Sequence, residues 1–166
     1  MNYLAALKLD KTPPKPFCCI NNPKKPNKGI VGRFYGAGSG PISIQDSRTV
    51  VFSNFELEGT KPPDAWIYAG KGEINQETGQ KAFIVGRDTP QYHCSIHEDY
   101  TGENDLAAVL SEGQTVYDID FISVFCYQYN VNFGNVRLHL DPDVVQVPPY
   151  IPPVRESPTL PIRTQC

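Results

Sequence analysis

The chain reads as an all-β protein: an antiparallel β-sandwich with extended Pro-rich N- and C-terminal arms. Three observations predict this. Short apolar alternations through the middle of the chain are broken by Gly, Asn and Asp every several residues, the pattern of many short strands. No stretch keeps a helical period over three turns. Of the 16 prolines, five fall in residues 1–28 and seven in residues 142–166, with only Pro41, Pro62, Pro63 and Pro90 between. Proline removes a backbone donor and fixes φ, so both flanks are expected to be extended and poor in regular structure. The domain reading is therefore a basic Pro/Lys-rich arm at 1–28, a β domain at 29–141 and a Pro-rich extended tail at 142–166.

The elements follow in order. GIVGRFYG at 29–36 reads as a first strand. PISIQD at 41–46 and TVVFS at 49–53 read as a hairpin across Ser47 and Arg48. AWIYA at 65–69 and AFIV at 82–85 come next, then the short DLAAVL at 105–110. FISVFCYQYNVNF at 121–133 leads into Gly134-Asn135 and then VRLHL. A two-residue Gly-Asn turn suits a tight hairpin. That turn would pair Phe133 with Val136, Val131 with Leu138 and Tyr129 with Leu140 on one face, with Asn130 opposite His139 on the other. Phe121, Phe125 and Tyr127 continue the aromatic face, while Ile122, Val124 and Cys126 make the opposite face apolar. The strand is expected to be buried on both sides around Cys126.

Charge excludes some classes. A formal net charge of −3 over 166 residues rules out a generally basic nucleic-acid binder. Charge also divides the chain: residues 1–28 hold six Lys against one Asp, whereas residues 29–141 hold seven basic and fifteen acidic side chains. A basic arm on an acidic body reads first as a solvated tail, and second as an arm that docks on its own body or on another copy. No apolar run approaches the ~18–20 residues of a transmembrane span. The apolar start at 1–7 breaks too early for a signal peptide, so a secreted protein would be represented here by its mature part.

The five cysteines are Cys18, Cys19, Cys94, Cys126 and Cys166. At most two internal disulfides can form, which leaves one thiol or a bond to another chain. The adjacent pair Cys18-Cys19 leans toward an oxidising, extracellular setting. Cys18, Cys19, Cys94 and Cys166 are the disulfide candidates. Cys166, at the end of the polyproline-type tail, is suited to bonding another chain.

DSRTVVFSNFELEGTKPPDAWIYAG at 46–70 and YDIDFISVFCYQYNVNFGNVRL at 117–138 together resemble the Skeletor-type electron-transfer domain, DM-thirteen. The matching positions are Asp46–Thr49, Phe52, Phe55, Gly59, Pro63–Trp66, Tyr68, Gly70, Asp118–Phe121, Ser123–Cys126 and Asn132–Gly134. The resemblance covers about residues 29–140. It implies an extracellular, mostly β module found in surface and matrix proteins. It also implies a redox role for one carried-over residue, Cys126, as a free thiol or as ligand to a prosthetic group such as haem. Residues 71–112 depart from the family pattern, and Cys94 there is a candidate to oxidise with Cys126.

On the residues alone, Cys126 reads as a buried thiol. A reactive thiolate needs a nearby cation or helix N-terminus, and the pattern supplies neither. Burial of this kind predicts that Cys126→Ser disturbs folding more than Cys166→Ser. His93 and His97 are four apart, which suits zinc on a helix. On a strand they would stand ~13 Å apart, so loop histidines are the default and no metal site is assigned. His139 would lie ~13 Å along the strand from Cys126, too far for a nucleophilic pair. Glu98, Asp99, Glu103 and Asp105 form an acidic loop without calcium-loop spacing. Asp118 and Asp120 read as residues ending a turn rather than an acid–base pair. Trp66 and Tyr68 share a face, either as a sugar-binding row or as packing. No phosphate loop, Ser-His-Asp pattern or nucleotide fingerprint occurs.

The expectation is an extracellular structural or interaction module of a cell-surface or matrix assembly. Its expected partners are proteins or copies of itself, with a matrix polysaccharide as a further candidate, and no cofactor is expected. The alternative is an electron-transfer domain using Cys126, with haem or another prosthetic group. An enzymatic role is disfavoured.

Overall fold

A computed structural model describes residues 13–89, 91–152 and Cys166. The expectations for residues 1–12 and 153–165, including the polyproline reading of the outer tail, lie outside the described residues.

Alternation decides which residues face inward. β1 (Phe17–Ile20), β2 (Val31–Gly32), β3 (Ile42–Ile44), β4 (Thr49–Phe52), β5 (Glu56–Leu57) and β6 (Ala65–Gly70) come first. They are followed by β7 (Gly79–Lys81), β8 (Phe83–Ile84), β9 (Tyr100–Thr101), β10 (Leu106–Val109), β11 (Phe121–Cys126) and β12 (Val131–Arg137). One sheet runs β1-β3-β4-β10-β8 and the other β2-β12-β11-β6-β7, with β5 and β9 as a small pair. Every pairing between these strands is antiparallel. Ile42, Ile44, Val50, Phe52 and Ala108 of the first sheet pack into one core with Ile67, Ala69, Ile122, Val124 and Val136 of the second. The protein is thus an all-β sandwich, as its alternation predicts.

The expected hairpin at 42–52 forms, with Ile42 opposite Phe52 and Ile44 opposite Val50. Its turn is local chemistry. Asp46 Oδ1 accepts from the backbone N–H of Arg48 at 2.9 Å and of Thr49 at 2.8 Å, an Asx-type turn. The Arg48 guanidinium then reaches across to the Leu110 carbonyl at 2.7 Å, which ties the hairpin to the end of β10.

The second hairpin corrects the sequence reading. β11 and β12 do pair, but the chain reverses at residues 127–130, not at Gly134-Asn135. Ile122 stands opposite Val136, Val124 opposite Gly134 and Cys126 opposite Val131. Asn130 takes the positive φ of 57° that the reversal needs, a conformation Asn tolerates better than most residues. A bulge between Val124 and Phe125 turns Phe133 into the sandwich core while Phe125 faces the opposite side. The expected sharing of one face by Phe125 and Phe133 therefore fails.

Gly134 has a different purpose. β2 pairs closely with β12 there, with Gly32 opposite Gly134, and a Cβ on Gly32 would stand 2.1 Å from the Phe133 carbonyl oxygen. A glycine at a close strand pairing and a glycine in a turn look the same in sequence.

The flanks join the sandwich. β1, inside the basic arm, pairs with β3. In the tail, Tyr117 Oη donates to the Val145 carbonyl, Ser47 N–H donates to the Pro148 carbonyl, and Tyr150 N–H donates to Ser47 Oγ. Residues 145–150 lie as a strap along the body.

Candidate functional site

Cys126 ends β11, whose six residues are all buried. Its strand neighbours are Ala65 on β6 and Val131 on β12. The side chain faces the sandwich core and is 1% exposed. Burial on both faces of the strand is as expected. Phe121 and Phe125 point to the outer side, where they pack with Tyr68 under Ile74 and Tyr127. Tyr68 stacks on Phe125 with centroids 4.6 Å apart.

Asp64 closes the end of this strand. Its carboxylate accepts from Trp66 Nε1 at 2.9 Å and from Gln128 N–H at 2.9 Å. Its carbonyl accepts from Tyr127 N–H at 3.2 Å. One residue therefore fixes the start of β6, the indole of Trp66 and the reversal just after Cys126. Asn132 does the same for the bulge. Its Oδ1 accepts from the fully buried Ser123 Oγ at 2.7 Å and from Gly134 N–H at 3.1 Å.

Trp66 and Tyr68 share a face as predicted, and packing accounts for both, at 8% and 0% exposure. The Lys81 ammonium lies 3.9 Å from the Trp66 ring centroid and 4.5 Å from that of Tyr127, a cation–π clamp over this edge of the sheet.

The remaining cysteines pair off. Cys18 is bonded to Cys19, and Cys94 to Cys166, leaving Cys126 as the free thiol. Neither the Cys94–Cys126 bond nor an interchain role for Cys166 occurs in this arrangement. Arg87 organises the loop that carries Cys94. Its guanidinium donates to the Cys94 and Ser95 carbonyls and pairs with Asp88 and Glu98. Burial pushes the Asp88 carboxyl above its ordinary value.

The other candidates disperse. His93 Nε2 sits 3.0 Å from the Ala82 carbonyl, and its ring stacks on Phe83, whereas His97 Nε2 lies 2.8 Å from Ser95 Oγ. Asp99 accepts from Thr60 N–H and Oγ1, hydrogen bonds that hold its carboxyl below the usual range, and Asp105 accepts from Asn54 N–H. Asp118 accepts from Thr115, while Asp120 accepts from Gly72 N–H and from Arg137. Among the described residues, no three His, Cys, Asp or Glu side chains are placed to hold a metal. His139 is exposed beyond Asp120, at the end of β11 opposite to Cys126. It makes no pair with Cys126, but the reason is this register and not the one expected.

Cys126, 1% exposed between Ala65 and Val131 of the neighbouring strands, leaves no room for a prosthetic group without displacing core packing, and a cavity of about 800 Å³ along β8 is lined by Arg48, Phe83, Val85, Val109 and Tyr150, among others, but not by Cys126.

Sequence reasoning missed Asp64 and Asn132 as organising residues. Their signal was the polar side chain beside an apolar strand, which marks a turn or bulge without naming its partners.

A sandwich with a buried thiol, paired cysteines and polar residues fixed at its turns defines a disulfide-bonded β module. The chain belongs to the family described as Electron transfer DM13, which matches residues 33–138. It is similar to the protein Skeletor of Drosophila melanogaster. It is 30% identical to isoforms B/C and to isoforms D/E over 124 residues, 75% of this chain. The chain spans only 14% and 8% of those relatives. No solved structure matches. Among the described residues, no helix is long and apolar enough to cross a membrane.

Proposed function

We propose that this domain is a disulfide-closed interaction module of an extracellular, cell-surface or matrix assembly. The observation that carries this reading is the cysteine pattern: four of five are bonded in pairs and the fifth is 1% exposed in the core. Paired cysteines suit an oxidising compartment. A closed-over thiol packs as a small hydrophobe. The family's matching positions support the same reading, because Asp46, Asp64, Asp120 and Asn132 all fix turns or bulges. Its partners are proteins or further copies, and the Lys-bearing arm at 1–28 against an acidic body is the contact that draws copies together.

A second reading, electron transfer at Cys126, is favoured by the family's description and by Cys126 being the free thiol. A thiol and disulfide map of protein purified without reductant separates the two. The module reading expects Cys126 to alkylate only after denaturation. Rapid alkylation of Cys126 in the folded protein would overturn it in favour of electron transfer. Sedimentation at rising salt tests the arm: copies held by it should separate as screening grows.

A further inference from the structure

β1 holds a register that a regular strand cannot. Phe17 stands opposite Ile44 and Cys18 opposite Ser43, but the residue opposite Ile42 is Ile20, not Cys19. Residues directly opposed on antiparallel strands point to the same face. Ile42 and Ile44 are completely buried. Phe17 and Ile20 therefore both face the core, and both pack on it. They are three positions apart, and a period of two would place them on opposite faces. Cys19 is the extra residue that makes this possible, the residue of a β-bulge.

The Cys18–Cys19 bond coincides with the bulge. In a regular strand adjacent side chains point to opposite faces, which holds their sulfurs apart. The bond therefore excludes the regular strand and keeps the extra residue in place. β1 is also an edge strand of four residues, paired on one side only. Its hold on the sheet rests on Phe17 and Ile20.

We propose that the Cys18–Cys19 disulfide is a reversible redox modification site that locks β1 in its bulged register, and that its reduction releases the strand from the sheet. The co-reactant is a dithiol. Its thiolate attacks Sγ of the exposed Cys18, forms a mixed disulfide and expels the Cys19 thiolate, which takes up a proton. The second thiol of the reductant then closes its own disulfide and frees the Cys18 thiolate, which is protonated in turn. Two electrons and two protons pass from the dithiol to the cystine. Without the bond, a regular register buries only one of Phe17 and Ile20. The strand loses an apolar anchor, and the edge of β3 is bared as a template for a strand of another copy. This inference shares the Cys18–Cys19 bond with the function proposed above, but the hydrogen-exchange comparison below can fail it while leaving that function untouched.

Hydrogen exchange read by mass spectrometry on the full chain tests it. In the oxidised protein, amides at 17–20 and 42–44 are expected to be protected. In C18S/C19S, with Cys94–Cys166 intact, they should exchange roughly tenfold faster or more, while β11 and β12 stay unchanged. A variant with Cys18→Ser and Cys19 deleted puts Phe17 and Ile20 two positions apart. It should keep β1 protected with or without dithiol. Graded reduction of the parent supplies a second measurement: protection of β1 should fall with the appearance of Cys18 and Cys19 thiols, not with those of Cys94 and Cys166. Equal protection in the parent and C18S/C19S would overturn the proposal. So would loss of protection in the deletion variant, or free Cys18 and Cys19 thiols in protein never exposed to reductant.

Discussion

Gly134 and Gly32 meet backbone to backbone where β2 pairs with β12: a Cβ on Gly134 would stand 2.8 Å from the Gly32 Cα. Both strands are held at this pairing. Phe133 packs into the core on one side, and the Ile30 side chain lies within contact of Gly134 on the other. Gly134→Ala is therefore expected to lose ~1–3 kcal/mol through forced backbone displacement, read as a lower urea midpoint. An unchanged midpoint would show that the strands accommodate a Cβ at this pairing and that the close approach does not require glycine.

Asp64 accepts from two donors on different segments, the Trp66 indole and the Gln128 amide. Asp64→Ala should cost ~1–3 kcal/mol, since the part-buried Trp66 indole N–H left unpaired carries its desolvation penalty, whereas the exposed Gln128 N–H can turn to water. Trp66 is the single tryptophan of the chain. Its fluorescence should shift to the red in the variant if the indole loosens, and this can be read before any unfolding.

The Cys94–Cys166 bond closes a loop with a sequence separation of 72. Loop-closure entropy places its contribution at ~2–4 kcal/mol. Cys166→Ser should accordingly lower the melting temperature, and Cys94→Ser should lower it equally, with no further loss in the double variant. The sequence leads one to expect Cys126→Ser to be the more disruptive change, and Cys126 is indeed buried; the bond to Cys94 gives Cys166→Ser a cost of its own. Calorimetry of these three variants beside Cys126→Ser decides the order.

Burial pushes the Tyr100 phenol up to about 12. Its ring packs edge-on to Phe55 at 5.1 Å and against the core. The unfolded chain ionises this group near its ordinary value of 10.0, so between the two values the folded state binds more protons. Stability then falls as pH rises through this window. The loss is ~1–2 kcal/mol after discounting for partial exposure. Tyr100→Phe keeps the ring contacts and should flatten this part of the alkaline stability curve. An identical slope in both proteins would refute the assignment.

What the sequence determined by itself was local or periodic. The hairpin at 42–52 was legible because Asp46, Arg48 and Thr49 build its turn within four residues. Burial of β11 on both faces was legible because Ile122, Val124 and Cys126 alternate with Phe121 and Phe125, and a free Cys126 was among the arrangements the cysteine count allowed. Tertiary structure decided the rest. Gly134 could serve a turn or a close strand pairing, and only the approach of β2 selects the second. β1 was invisible because its bulge breaks the period of two that reveals strands. The pairing of Cys94 with Cys166 joins residues far apart in the chain, and spacing alone cannot choose among partners at that distance. Side-chain pattern reports which face a residue prefers. Which chain arrives to cover that face is set by packing, and packing is a property of the whole sandwich.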